Sequence, residues 1–325
     1  MAIDLLAIEP NKVSRDLSGY ITYIYGPAKV GKTTLCSHFP GALLLAFEKG
    51  YNAIPGIFVY PIEKWSQLKE VVRELKKPEV KEKYKTIIID TVDWAGTACE
   101  KYICNQLGIE NIGDGGWSNN GWSKYKREFE DTFRTITMLG YALVFISHDQ
   151  EKTFKRKDGT EFNMTVPTAQ KSINNIVKDM SDIYTYAYLD EKHQTRKLVM
   201  RSLDNTIECG CRFKYMQNEV DLDYNALVKA LNKAIDEEAD ENNQKYVTDA
   251  RTEYVPAPDY DYDALIAEFN EYVAPLMQKD PNYYGPRIVS IVEKYLGKGK
   301  KIADSSRDQA DLIHLIVTEL KTEVK

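Results

Sequence analysis

Residues 26–33 read GPAKVGKT, and this stretch decides the class of fold. It satisfies the pattern G-x-x-x-x-G-K-[ST] between a predicted strand, YITYIY, and a helix predicted to begin at Lys32. The glycines let the backbone wrap a phosphate, while N–H groups of the turn and of the helix start supply positive potential. The order of strand, glycine-rich turn and helix therefore predicts a P-loop nucleotide site.

The residues of this turn have predicted roles in holding a nucleoside triphosphate. Lys32 is expected to reach the β and γ phosphates, and the Thr33 hydroxyl is expected to ligate magnesium. The predicted cofactors are therefore ATP and Mg²⁺. The predicted contact residues are Gly26, Pro27, Ala28, Lys29, Val30, Gly31, Lys32, Thr33 and Thr34.

Three polar side chains follow apolar segments that are predicted to be strands of one sheet. Asp90 ends TIIID, Glu48 follows ALLLAF and His148 follows YALVFIS. Asp90 is predicted to share the magnesium ion with Thr33, since a P-loop site needs a carboxylate at the end of a nearby strand. Glu48 is predicted to orient or deprotonate the attacking water, and His148 to contact the γ-phosphate. The structural alternatives are a turn-forming aspartate, a solvated glutamate and a hydrogen-bonded loop histidine.

Strands and helices alternate over the first two thirds of the chain. Continuous apolar strands separated by helices predict an α/β fold with a mainly parallel central sheet that helices cover on both faces. Two later runs, IYTYAYL and KLVMRSL, predict an antiparallel hairpin at the edge of this sheet. Besides the helix after the P-loop, helices are predicted at residues 65–77, 93–107, 122–139 and 223–235.

An acidic segment divides the chain. Residues 236–263 contain ten acidic and two basic side chains, few aliphatic residues and two prolines, which predicts a flexible linker. After it, helices are predicted at 262–277, 286–296 and 306–321, with Pro286 in a first helical turn and Gly297 as a C-terminal cap. The predicted domains are thus 1–235 (ATPase), 236–260 (linker) and 261–325 (a small helical bundle).

The composition excludes several classes of protein. With 43% hydrophobic and 28% charged residues, the 325-residue chain resembles soluble globular proteins rather than collagen-like, disordered or coiled-coil chains. No apolar run is long enough to span a membrane, and the N-terminal sequence lacks the layout of a secretory signal. We therefore expect no membrane partner and a cytoplasmic location. The five cysteines include no CxxC pair, which argues against a disulfide framework or a zinc knuckle.

Taken together, GPAKVGKTT, ALLLAFEKGYNAIPG, TIIIDTVD and FISHDQEK make residues 20–215 resemble the RecA-like P-loop ATPases of bacteriophages and prophages. This AAA-type group includes the Sak-four single-strand annealing proteins. The resemblance implies a RecA-like fold with Glu48 as the catalytic carboxylate, Asp90 as the Walker B acid and His148 as the γ-phosphate sensor. With Lys32, Glu48 and His148 form the expected catalytic set.

RecA-like proteins bind single-stranded DNA through two loops, and two segments here match them. The first, residues 111–122, contains Trp117 and Trp122 among glycines. The second, residues 150–168, contains Lys152, Lys155, Arg156 and Lys157. Basic side chains follow phosphates and aromatic rings stack on bases, so both segments are candidates for sequence-tolerant DNA contact. The alternatives are a solvated hairpin turning at residues 158–159, and a tryptophan that begins a core stripe.

A cation from a neighbouring subunit often completes a phosphoryl-transfer site. The candidates lie on or beside the predicted edge hairpin, and each has a merely solvated alternative. They are Arg196, Lys197, Arg201 and Arg212. Such a role implies a homo-oligomer, either a ring or a filament, with ATP at the subunit interface.

The expected function is an oligomeric ATPase that acts on single-stranded DNA in annealing or recombination during phage replication. Two alternatives remain open: a helicase loader or DNA motor, and a nucleotide-switched interaction protein that never touches DNA. A small-molecule kinase is a weaker alternative, since no lid or acceptor pocket is evident. The role of the C-terminal bundle is open: docking of a replication or recombination protein is one alternative, and its Lys298, Lys300 and Lys301 are either a nucleic-acid contact or a solvated turn.

Overall fold

A computed structural model of the chain describes residues 6, 8–114, 120–241, 246–251 and 260–323. The chain divides into two compact units, residues 1–255 and residues 256–325. Each unit has its own hydrophobic core. No helix among the described residues has the length and hydropathy needed to cross a membrane.

The first unit is built from short strands and from helices that connect them. Its strands are β1 (Val13–Ser14), β2 (Thr22–Tyr25), β3 (Ala42–Ala46), β4 (Phe58–Pro61), β5 (Thr86–Asp90), β6 (Ala142–Ser147), β7 (Asp149–Lys155), β8 (Glu161–Pro167), β9 (Ile183–Asp190), β10 (Thr195–Val199), β11 (Gly210–Cys211), β12 (Glu219–Asp221) and β13 (Val247–Thr248). Its helices are α1 (Lys32–Ser37), α2 (Trp65–Glu74), α3 (Pro78–Lys83), α4 (Val92–Leu107), α5 (Gly121–Met138), α6 (Lys171–Met180) and α7 (Tyr224–Glu241).

The central sheet has the strand order β12-β10-β9-β2-β6-β5-β3-β4, with β11 also paired to β9. The strands from β9 to β4 are parallel, whereas β10, β11 and β12 are antiparallel to their neighbours. This arrangement confirms the predicted α/β fold with a mainly parallel sheet. The central strands are buried on both faces, as their continuous apolar sequences predicted.

Alternation along each strand divides the core into two layers. In β5, Ile87 and Ile89 point to the face that α2, α4, α5 and α6 cover, while Ile88 points to the face that α1 and α7 cover. Aromatic residues of α5 fill the first layer, where the rings of Phe129 and Phe133 lie 4.7 Å apart. Helices on both faces leave the two ends of the strands accessible, and parallel sheets place ligand sites at the carboxyl ends.

Several elements differ from those predicted. The strand β4 and the helices α3 and α6 were not predicted, and the antiparallel hairpin of β9 and β10 is present but does not form the edge of the sheet. Instead β12 covers β10, with Leu198 opposite Val220. Because β12 has only three residues, it carries too little periodicity to be recognised from its sequence.

The predicted linker was wrong at its start, because residues 236–241 continue α7. The helix buries Ile235 and Ala239, and its acidic face pairs with cations that are distant in sequence. Arg15 contacts Asp236, and Lys214 lies 3.0 Å from Glu241. A composition typical of linkers thus belongs partly to the solvent-facing side of an amphipathic helix.

Residues 246–251 also belong to the first unit. The strand β13 pairs in parallel with β1. Arg251 then donates to the backbone oxygens of Ser18 and Gly140, so it connects two loops at the amino ends of the strands. This contact places the end of the first unit beyond the predicted residue 235.

The second unit contains α8 (Tyr262–Lys279), α9 (Pro281–Leu296) and α10 (Ala310–Glu323). The prediction that Pro286 lies in a first helical turn was wrong. Asp280 caps α9 by accepting from the N–H groups of Asn282 and Tyr283, so the helix begins at Pro281 and contains Pro286. The predicted cap at Gly297 is confirmed, with φ of 101°.

Candidate nucleotide-binding site

The predicted site residues meet at the carboxyl ends of four parallel strands. Gly26 follows β2, Glu48 lies just beyond β3, Asp90 ends β5 and His148 follows β6. The backbone joins two of these ends directly, because the N–H of Phe47 donates to the carbonyl oxygen of Asp90 over 2.7 Å. Sheet order therefore brings together residues that are up to 122 positions apart in the sequence.

The glycines of the P-loop meet steric requirements that other residues would not. Gly26 has φ of 151°, and a Cβ atom there would lie 2.2 Å from the carbonyl oxygen of Ala187 on β9. Gly31 has φ of 109°, also in the region that favours glycine. The turn consequently packs its backbone against the sheet and leaves its concave side for a ligand.

Lys32 is buried within the turn. Its Nζ atom donates to the carbonyl oxygens of Gly26 (2.6 Å) and Pro27 (2.8 Å). Burial lowers the pKa of the lysine, and the nearby Asp90, Asp149 and Glu48 oppose this effect. The ammonium group thus lies over the turn, where a phosphate group would offer it oxygens with full negative charge in place of two carbonyls.

Thr33 and Asp90 form the predicted magnesium pair. The Thr33 hydroxyl donates to Oδ2 of Asp90 over 2.7 Å. Burial raises the pKa of Asp90 to about 6, although the hydrogen bond from Thr33 acts in the opposite direction. One hydroxyl and one carboxylate oxygen are the hard donors that Mg²⁺ prefers, and a buried carboxylate gains most from a cation. The residues present therefore fit a magnesium ion.

Glu48 and His148 lie opposite each other beside this pair. Oε2 of Glu48 is 3.4 Å from Nε2 of His148. The contact lowers the pKa of Glu48 and raises the pKa of His148. Glu48 is therefore ionised near neutral pH. Its other oxygen, Oε1, has no hydrogen-bond partner among the described residues and would lie 3.8 Å from a Cβ atom at Gly50.

Three contacts that the sequence did not predict join the site to the β7–β8 hairpin. The Thr168 hydroxyl donates to Asp93, and the Thr168 N–H donates to the carbonyl oxygen of His148 over 2.9 Å. Tyr186 donates to Asp149, the first residue of β7, over 3.2 Å. Asp93 stands three positions after Asp90, and this proximity was the available signal.

The second predicted DNA segment forms this hairpin, which was one of the two alternatives considered. The pleat places Lys152, Phe154 and Arg156 on the same face as Phe162. Arg156 lies over the Phe162 ring at 4.8 Å, and Phe154 is 39% exposed. Lys155 lies on the other face.

Lys155 already has an acidic partner. Its Nζ atom is 3.1 Å from Glu161, the residue directly opposite it in β8. Lys157 lies in the exposed turn that Gly159 allows with φ of 87°. The basic residues predicted to contact DNA are therefore divided between the two faces and the tip of the hairpin.

The first predicted DNA segment is only partly described. Trp122 lies in the first turn of α5, is 43% exposed and packs edge-on against Tyr125 at 6.1 Å. Trp117 lies outside the described residues. The Trp122 ring is therefore both a neighbour of the core and accessible from outside.

Three of the candidate cations have partners within their own chain. Lys197 lies 2.6 Å from Asp221, Arg212 lies 3.3 Å from Asp182, and Arg201 donates to the carbonyl oxygen of Phe213. Arg196 is different, because its guanidinium reaches its own P-loop.

A Cβ atom at Gly31 would lie 3.4 Å from Nη1 of Arg196. Arg196 is thus placed beside the P-loop. Its strand, β10, holds it there by antiparallel pairing with β9.

The chain is similar in sequence to a known protein family and to a prophage-derived protein. The sequence profile of a family described as an AAA domain matches residues 18–208, which include the P-loop, Glu48, Asp90 and His148. The SPbeta prophage-derived uncharacterized protein YorG of Bacillus subtilis (strain 168) is 30% identical over 329 aligned positions, which cover 99% of this chain and 98% of that protein. The similarity to that protein therefore extends over both units.

Proposed function

The chain belongs to the AAA domain family, and from this premise we propose that it hydrolyses ATP and uses that cycle to act on single-stranded DNA in annealing or recombination. The observation that carries the proposal is the cluster of Lys32, Thr33, Asp90 and Glu48 at one edge of the sheet. A turn for phosphates, a donor pair for magnesium and an ionised carboxylate are together the parts that phosphoryl transfer to water requires.

The proposed chemistry assigns one task to each side chain. Lys32 leaves the carbonyls of Gly26 and Pro27 and binds phosphate oxygens, which stabilises the charge that develops during transfer. Glu48 accepts a proton from the attacking water through its free oxygen. Magnesium bound by Thr33 and Asp90 would neutralise charge on the β and γ phosphates.

His148 is the proposed link between the nucleotide and DNA. A γ-phosphate competes with Glu48 for the imidazole, and His148 is continuous with β7 and hydrogen-bonded to the end of β8 through Thr168. A change at the imidazole is thereby passed to the exposed hairpin. The Asp93–Thr168 contact adds a second connection, from the helix that follows Asp90.

Single-stranded DNA is the proposed ligand of the hairpin. Lys152 and Arg156 offer charge for phosphates beside Phe154 and Phe162, whose rings offer stacking surfaces. Stacking on aromatic rings tolerates any base, which suits annealing of arbitrary sequences. Trp122 is a further candidate for such stacking.

An oligomer remains part of the proposal. A ring or filament that places ATP between subunits would let Arg196, Lys197, Arg201 or Arg212 act on the neighbouring site. For the last three this role requires breaking a contact within the chain, whereas Arg196 is already beside Gly31. The prophage origin of the related protein supports a phage role, and membership of the RecA-like Sak-four group is part of the same proposal.

Measurement of ATP hydrolysis by the full chain, with and without single-stranded oligonucleotide, tests the proposal. We expect Mg²⁺-dependent turnover that the oligonucleotide stimulates and that Lys32→Ala abolishes while the fold persists. No turnover in the wild-type chain would refute the ATPase. Turnover without DNA binding would favour an interaction protein, and unwinding of a duplex would favour a motor over an annealing protein.

A further inference from the structure

The second unit has an apolar groove between α8 and α9. The groove has a volume of about 380 Å³, and its apolar wall consists of Phe269, Val273, Met277, Ile288, Val289, Val292 and Ile302. Two of these side chains are unusually accessible: Met277 is 38% exposed and Val289 is 54% exposed. Contiguous apolar surface of this kind is typical of binding sites, whereas single exposed apolar residues are ordinary.

The mouth of the groove is basic. Lys300 and Lys301 line it, on a loop that the backbone holds in place. The N–H of Gly299 donates to Oε1 of Glu293 over 2.8 Å, and the N–H of Lys301 donates to Asp304 over 2.8 Å. The lysines are therefore presented by an ordered turn.

Neither of these two lysines forms an ion pair with a described residue. The carboxylate that lines the groove, Glu293, accepts from the Gly299 N–H and keeps its charge, so two lysines face one carboxylate there. The residues of this unit otherwise carry more carboxylates than cations. Unpaired positive charge is thus concentrated at the groove within an acidic unit, which favours a negatively charged ligand.

We propose that this groove binds a short amphipathic segment of a partner protein, in which acidic side chains flank a few apolar anchors. The apolar wall accommodates the anchors, and Lys300 and Lys301 pair with the acidic side chains. Nucleic acid fits the groove less well, because its described aromatic residue, Phe269, is 6% exposed and offers no ring for base stacking. The proposal concerns the second unit alone and does not depend on ATP hydrolysis.

A displayed library of random peptides, selected on the immobilised full chain and counter-selected on Val289→Glu, tests this proposal. We expect the selected peptides to combine aspartate or glutamate with leucine, isoleucine or phenylalanine. In fluorescence anisotropy, Lys300→Glu with Lys301→Glu should weaken binding of a labelled selected peptide by about tenfold or more. Leu315→Glu, a matched change at a 44% exposed residue outside the groove, should leave binding unchanged.

Two results would overturn the proposal. One is the selection of basic or uncharged peptides, and the other is that the Val289→Glu chain retains the selected peptides as well as the wild-type chain does. A loss of oligonucleotide binding in the double lysine variant, with peptide binding unchanged, would show a nucleic-acid surface instead. Because Val289 is on the surface we expect its variant to fold, which circular dichroism checks, and Met277→Glu provides a second block of the same groove.

Discussion

Nε2 of His148 lies 3.4 Å from Oε2 of Glu48, a contact between two residues that are 100 positions apart and follow different strands of the sheet. The contact joins the proposed general base to the proposed γ-phosphate sensor. It also keeps one oxygen of Glu48 occupied while the other remains available for water. Binding of a triphosphate beside His148 would therefore alter the electrostatic environment of the base.

The Glu48–His148 contact should make stability depend on pH. The pKa of His148 is raised, so its contribution is fully present below 6.5 and is lost as pH rises through the folded-state value. The pKa of Glu48 is lowered, so its contribution is fully present above 4.5 and is lost as pH falls through its folded-state value. Both side chains are about one third exposed, so we expect the contact to contribute only about 0.5 kcal/mol to the free energy of unfolding. Between pH 4.5 and pH 6.5, urea unfolding should show the wild-type chain to be more stable than His148→Gln by this amount. An advantage just as large near pH 9 would contradict this account.

Glu48→Gln should separate hydrolysis from binding. The amide keeps the size of the side chain but accepts no proton, so we expect turnover to fall by about 10²- to 10⁴-fold. Thermal stabilisation of the chain by Mg²⁺ and ATP should persist, because Thr33 and Asp90 are unchanged. Glu79→Gln, at an exposed position on α3, is the control and should hydrolyse ATP normally. Loss of ATP binding in Glu48→Gln would show that Glu48 is a binding residue instead.

Asp90→Asn, unlike Glu48→Gln, should impair the binding of magnesium. Asparagine can still accept the hydrogen bond from Thr33, so the fold should survive, but it supplies no charge for magnesium. In the wild-type chain, ligand at about 100 times its dissociation constant should add about 2.7 kcal/mol to the free energy of unfolding. We expect differential scanning calorimetry to show that the variant loses the magnesium-dependent part of this gain. A full gain in the variant would exclude Asp90 as a metal ligand.

The two faces of the β7–β8 hairpin should contribute unequally to DNA binding. Arg156→Ala should weaken oligonucleotide binding and reduce the slope of log affinity against log salt by about one, and Phe154→Ala should cost about 1–3 kcal/mol of stacking. Lys155→Ala should matter less, since Glu161 already neutralises that lysine. Fluorescence anisotropy with a labelled single strand at several salt concentrations measures these effects. Equal losses for Arg156→Ala and Lys155→Ala would indicate nonspecific charge rather than a defined face.

Arg251→Ala should destabilise the first unit. The guanidinium donates to backbone oxygens of two loops, which would be left without these donors, so we expect a loss of about 1–3 kcal/mol in the free energy of unfolding. Chemical denaturation followed by circular dichroism measures it. Arg127→Ala, at an exposed position on α5, provides the comparison. No difference between the two variants would mean that residues 246–251 do not stabilise this unit.

Much of the site was predictable because its signals are local. The P-loop is recognised from eight consecutive residues, and Asp90, Glu48 and His148 from their positions directly after apolar strands. The strand β4 and the helix α3 could not be predicted from the sequence. Because β4 is largely exposed and α3 buries none of its residues, neither has strong hydrophobic periodicity. The acidic end of α7 was misread for a related reason, since its cationic partner Arg15 is 221 residues away.

By itself, the sequence determined which groups are on offer: a P-loop, hard oxygen donors, carboxylates that follow apolar strands, and two units separated by an acidic region. Tertiary structure decided which groups face each other. It placed His148 opposite Glu48, Arg196 beside Gly31, and Lys152 on a different hairpin face from Lys155. Turns and strand patterns arise from neighbouring residues, whereas these contacts depend on strand order, register and packing between segments far apart in the chain.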